Sequence, residues 1–110
     1  MPFSRLILPA VLALSGAVAA IAAQPAATPT VHISNYTFGP QALKIRAGET
    51  VIWVNDDDIP HTVAAADKSF KSKVLDTGDR FSFTFTHAGS VSYFCSLHPH
   101  MTGTVLVTAK

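Results

Sequence analysis

From Thr30 onward, apolar and polar residues alternate with a period of two, and no stretch carries a convincing helical period. Val31/Ile33, Leu43/Ile45, Val51/Trp53, Phe81/Phe83/Phe85, Val91/Tyr93 and Val105/Val107 are each separated by a polar or small residue. Runs of β-branched and aromatic residues in this pattern form strands with one buried face. Turn-forming clusters lie between them: Phe38-Gly39-Pro40, Ala47-Gly48-Glu49, Asn55-Asp56-Asp57-Asp58, Thr77-Gly78-Asp79 and His87-Ala88-Gly89. The segment from Ala64 to Leu75 is ambiguous. Short strands at this spacing predict an all-β fold, a Greek-key β-sandwich of about eight strands over residues 30–110.

The N-terminus follows a different rule. Arg5 precedes an apolar run from Leu6 to Leu14, and small residues then offer Ala20-Ile21-Ala22 as a cleavage motif. That is the three-part layout of an export signal. A spanning helix needs ~20 apolar residues, and Pro9, Ser15 and Gly16 interrupt this run. Residues 1–22 are therefore expected to be a signal peptide and residues 23–29 a short proline-bearing linker. Cleavage removes Arg5 and leaves basic and acidic side chains equal in number. With no Lys/Arg cluster, nucleic acid and anionic membrane surfaces are unsuited as partners, and the mature chain is expected to be a monomer without stable membrane association. Neither a phosphate-cradling Gly loop nor a nucleophile elbow occurs, so the chain is not expected to be an enzyme.

One cysteine excludes a disulfide framework and any four-cysteine metal site. A small domain without bridges has few remaining staples, and a bound metal is one of them. The lone thiol also needs a reason, because a free thiol in an oxidising compartment is open to oxidation. Cys95 ends an apolar strand, His98 and Met101 follow it, and a strand starting at Gly103 leaves the far side. A tight turn around Pro99 would bring thiolate, imidazole and thioether to one point. His61, in Ile59-Pro60-His61-Thr62-Val63, is expected to begin a strand and to supply a fourth group. Two His and one Cys with a weak axial Met make the blue-copper electron-transfer site. Zinc accepts Cys and His but has little affinity for thioether. The set His61, Cys95, His98 and Met101 thus predicts one copper ion cycling between Cu(I) and Cu(II).

Other candidates read differently. His32 alternates with Val31 and Ile33 and should face solvent, as should His87 in its turn. His100 lies inside the loop, but Pro99 and the three-residue step to Met101 favour His98 as the ligand. Asp56 to Asp58 lack the pattern of a calcium loop and read as a solvated acidic turn. Phe81, Phe83 and Phe85 read as core.

These residues resemble the cupredoxin family of small blue copper proteins, from about Val31 to Val107. The motifs that carry the resemblance are Ala47 to Asn55, Pro60-His61-Thr62-Val63, and Cys95 to Val105. Two residues between the second His and the Met are similar to amicyanin, whereas plastocyanin and pseudoazurin have longer spacings. The resemblance implies His61, Cys95 and His98 as equatorial ligands, Met101 as axial ligand, and a bacterial periplasmic location. Three departures accompany it. The extra N-terminal segment of amicyanin is expected to be missing, and Thr62 stands where amicyanin and plastocyanin have an Asn that ties the two ligand loops. A Thr hydroxyl in that place has less span towards Ser96. His100 replaces an aromatic residue; the first and third departures fall where partner specificity is set, so amicyanin's amine-dehydrogenase partner does not transfer. The function expected is single-electron transfer between redox partner proteins that dock transiently near His98. The alternative is copper handling in storage, transfer or resistance, which methionine- or histidine-rich tracts would favour. A metal-free binding sandwich leaves the Cys-His-Met spacing unexplained.

Overall fold

The computed structural model describes residues 27–110. The expected signal peptide, and the linker up to residue 26, lie outside the described residues. Eight strands follow: β1 (Thr30–Ser34), β2 (Thr37–Gly39), β3 (Ala42–Arg46), β4 (Thr50–Asn55), β5 (Ala64–Ala65), β6 (Arg80–Thr84), β7 (Gly89–Cys95) and β8 (His98–Thr108). They form two four-stranded sheets, ordered β2-β1-β4-β6 and β3-β8-β7-β5. The pairs β1/β4 and β3/β8 run parallel and the others antiparallel. The architecture is the all-β sandwich that the alternation predicts.

Alternation decides which residues meet between the sheets. Val31, Ile33, Val51 and Trp53 point inward from one sheet, and Ile45, Tyr93, Cys95, Val105 and Val107 from the other. Trp53 is fully buried, with ring centroids of Phe70, Phe81, Phe85 and Tyr93 at 5.6, 5.8, 6.3 and 5.3 Å. Each such aromatic pair adds about 0.5–1.5 kcal/mol beyond the burial of its area. Phe85 belongs to this core, while Phe81 and Phe83 are only half-buried against it.

Three local features differ from the sequence expectations. His61 does not begin a strand: it forms an isolated bridge to Leu75, three residues before β5. β2, too short to show alternation, is joined to β1 by the two-residue turn Asn35-Tyr36, with φ values of 51° and 58°. Both central residues are left-handed, as a type I′ hairpin turn requires. The sharp turn after Cys95 lies at Ser96-Leu97 rather than at Pro99, and β8 starts at His98 rather than at Gly103. Cys95 pairs with His98, yet the preceding Phe94 pairs with Thr102, so Pro99, His100 and Met101 have no partners on β7. Proline suits this bulge because it has no N–H to give to a ladder. The bulge lets His98 meet the end of β7 while Met101 stays on the inward face of β8.

Candidate metal centre

Cys95, at the inner end of β7, is fully buried. His61 Nδ1 stands 3.7 Å and His98 Nδ1 3.6 Å from its Sγ. The ligand atoms of these three residues all lie within 4.8 Å of one another, and no other such group occurs among the described residues. His61 is fully buried and His98 half-buried, with ring centroids 5.1 Å apart. Met101 is buried on the inward face of β8, which it shares with Gly103, Val105 and Val107. His100, one residue earlier, is exposed on the opposite face. His32 and His87 are exposed, as expected.

The surroundings favour a thiolate. Burial works against ionisation of Cys95, but the Thr62 backbone N–H at 3.4 Å, the two imidazoles and the Thr62 hydroxyl outweigh it. The thiol is held down from 9.0 to about 6. A thiolate and two imidazole nitrogens converging inside the sandwich, with a buried thioether on the next strand, form a soft and borderline donor set that fits copper in both oxidation states.

The two loops that carry the site are joined by Thr62. Its Oγ1 accepts the Ser96 backbone N–H at 2.7 Å and lies 2.6 Å from the Ser96 hydroxyl. The shorter threonine therefore spans the gap. His61 is fixed by reciprocal backbone bonds with Leu75, at 3.1 and 2.8 Å.

The acidic turn is more than a solvated one. Asp57 has only 14% of its side chain exposed, and its Oδ2 accepts the His61 Nε2–H at 2.9 Å. That bond, above all, holds its carboxyl below the usual range. Asp56 is exposed and pairs with His32 at 2.5 Å. Tyr36 was also not singled out from the sequence. Its ring meets His61 and His98 edge-on, at centroid distances of 5.9 and 5.1 Å. An Asp four residues before a His is too common a spacing to mark the first contact, and no local pattern marks the second.

The sequence model of copper-binding proteins of the plastocyanin/azurin family matches residues 26–108. The chain belongs to this family. Copper is the cofactor of this cupredoxin, and electron transfer at a blue copper centre is its function. Amicyanin of Paracoccus versutus is 37% identical over 88 residues, covering 76% of this chain and 67% of that protein. Amicyanin-alpha of Methylorubrum extorquens is 31% identical over 98 residues, covering 84% and 82%. Among solved structures, a purple cupredoxin from Nitrosopumilus maritimus superposes with a TM-score of 0.71 at 36% identity, covering 73% of this chain and 99% of that one.

Proposed function

We propose that this cupredoxin is exported to the periplasm, loses residues 1–22, and carries single electrons there as a monomer between redox proteins. His61, Cys95, His98 and Met101 would hold the copper ion, with the thiolate and the two imidazoles as the strong donors and the thioether as the weak one. The observation that carries the reading is the buried Cys95 sulfur faced by two imidazole Nδ1 atoms at 3.7 and 3.6 Å. Copper held by this set supplies a one-electron couple that suits both oxidation states. The chain's own part is to keep the donors where both states accept them. The bonds of Thr62 to Ser96 and of His61 to Leu75 do this.

The copper end of the sandwich supports transient docking. Half-buried His98 lies beside exposed Leu97 and Pro99, and the exposed Pro60 adjoins His61 on the neighbouring ligand loop. Weak redox encounters bury less than ~1,200 Å² in total, so a patch of this kind suffices.

The test is to load the oxidised protein with copper and record its visible spectrum and redox cycling. An intense blue thiolate-to-copper band with reversible reduction is expected. Cys95→Ala should abolish the band, and Met101→Gln should keep copper but lower the reduction potential. Equal potentials in Met101→Gln and wild type would remove Met101 from the donor set. A colourless protein that takes only Cu(I) would point to copper handling instead.

A further inference from the structure

His61 has no exposed surface, so its outer ring nitrogen must find a partner within the protein. That partner is Asp57, whose Oδ2 lies 2.9 Å from Nε2. The carboxylate is itself firmly held. The Asp57 N–H donates to Asn55 Oδ1 at 2.9 Å, and the Asp57 carbonyl accepts the Thr77 hydroxyl at 2.6 Å. Asp57 Oδ1 accepts the Asp58 N–H at 3.1 Å, and Oδ2 also accepts the Tyr36 N–H at 3.4 Å. Asn55, fully buried at the end of β4, donates to the carbonyls of Ile59 and Leu75, both at 2.9 Å. These bonds fold the turn back so that residue 57 reaches residue 61.

A carboxylate accepts and does not donate, which places the proton on Nε2. In the neutral imidazole, Nδ1 then keeps its lone pair, and Nδ1 is the atom that faces Cys95 Sγ. The backbone bonds to Leu75 fix the His61 main chain but do not themselves set which way its ring is turned about Cβ–Cγ. A half-turn would put carbon where both nitrogens now stand. The bond to Asp57 opposes that turn. Among the described residues, His61 is the only ion-pair partner of Asp57, so this ring is the group of the site that the carboxylate touches.

We propose that Asp57 is a positioning residue of the copper site: its carboxylate sets the tautomer and orientation of His61, and its charge favours the oxidised state of the bound metal. The inference rests on the ligand role of His61 argued under Proposed function. A ligating imidazole that donates its other N–H to a carboxylate is more basic, and the doubly charged ion gains more from that basicity than the singly charged one.

The test uses Asp57→Asn and Asp57→Ala. The amide oxygen of Asn still accepts the His61 N–H but carries no charge, whereas Ala removes both. In the metal-free protein, the His61 Nε2–H resonance should exchange slowly with water in wild type and Asp57→Asn, and be lost to exchange in Asp57→Ala. Retained protection of the His61 and Leu75 backbone amides would show that the fold is intact. In the copper-loaded protein, both variants should have a raised midpoint potential. The expected change is about tenfold in the Cu(II)-to-Cu(I) affinity ratio, the lower end of what loss of such a partner costs, or about 59 mV for one electron. An unshifted potential in both variants overturns the charge role. Equal ring N–H exchange in wild type and Asp57→Ala overturns the positioning role. A wild-type protein with no blue band would overturn the functional reading and the charge role with it, while the ring N–H measurement would still decide the orientation.

Discussion

The hydroxyl of Thr62 and the backbone of Ser96 are joined across the two ligand loops: Thr62 Oγ1 accepts the Ser96 N–H at 2.7 Å and lies 2.6 Å from the Ser96 hydroxyl. Thr62 is buried, and its own N–H points at the Cys95 sulfur. One side chain therefore holds the distance between the His61 loop and the Cys95 hairpin.

Thr62→Ala removes that link and leaves the Ser96 N–H without its acceptor. The expected loss in the metal-free protein is about 1–3 kcal/mol, and a domain of this size loses roughly 4–8 °C of melting temperature per kcal/mol. The Cys95 thiol should also titrate higher, since the hydroxyl is one of the groups that favour the thiolate. It should stay below its ordinary range, because the Thr62 backbone N–H remains. Thr62→Ser should restore both quantities. Thermal melts and thiolate absorbance on the three proteins decide the matter; an unchanged melt in Thr62→Ala would remove the link from the stability account.

The low thiol pKa has a consequence with a definite sign. In the unfolded chain Cys95 titrates near its ordinary 9.0, and in the folded metal-free protein at about 6. A depressed folded value means that the contribution to stability is fully present above the unfolded pKa. It declines as the pH falls from about 9 and is gone once the pH has passed below about 6. The stability difference between metal-free wild type and Cys95→Ala should therefore grow in favour of wild type from pH 6 to pH 9. Denaturant unfolding across that range measures it. A difference independent of pH would show that the folded thiol is not depressed.

The sandwich was legible in the sequence because burial on one face imposes period two. Val31/Ile33, Val51/Trp53 and Val105/Val107 lie inward as the alternation requires. The gathering of His61, Cys95 and His98 was legible because metal donors are rare residues, and their spacing survives an error in the turn. The turn position was not legible. Proline drew the expectation to residue 99, but it fills a bulge where no ladder bond is needed, and Ser96-Leu97 makes the reversal. Asp57 was missed for another reason. The three adjacent carboxylates of Asp56, Asp57 and Asp58 look alike in sequence, and only the fold, through Asn55, turns one of them onto His61. Tyr36 reaches the two histidines from a hairpin too short to show a pattern.

Gly103 lies against the ring of Tyr93, its register partner. A Cβ at position 103 would stand 2.3 Å from Tyr93 Cζ and Oη and 2.8 Å from Cε1. The ring has no room to step aside, with Phe38 and Trp53 at centroid distances of 4.7 and 5.3 Å. Gly103→Ala should therefore cost about 1–3 kcal/mol from overpacking. The Tyr93 hydroxyl and the Trp53 Nε1–H are both buried without a well-formed hydrogen bond, and burial, opposed by the nearby Trp53 N–H, pushes the Tyr93 pKa up to about 12. Tyr93→Phe removes that hydroxyl and should be neutral or slightly stabilising. In the double variant only part of the loss should be recovered, since the contact with Cζ remains. Urea unfolding of the single and double variants tests the geometry, and a fully stable Gly103→Ala would contradict it.

The last prediction concerns the route by which the electron leaves. The Cys95 sulfur is fully buried, and of the three gathered residues only His98 reaches the surface. Leu97, next to it in the hairpin turn, has 49% of its surface exposed, and Tyr36, 54% exposed, meets the His98 ring edge-on. An exposed apolar residue beside a redox ligand favours a partner that brings its own apolar surface against it. A charge there has to be desolvated without a counter-charge when the partner docks, which weakens the encounter. The Leu97 side chain points outward, so Leu97→Glu leaves the donors and their bonds in place. Electron exchange with the physiological partner should slow by up to about tenfold for each 1.4 kcal/mol lost from docking, with the blue spectrum and the reduction potential nearly unchanged. Leu97→Met keeps an apolar surface and should exchange at close to the wild-type rate. Stopped-flow mixing with the reduced partner measures both rates. If Leu97→Glu exchanges as fast as wild type, the electron leaves by a face other than the one His98 opens.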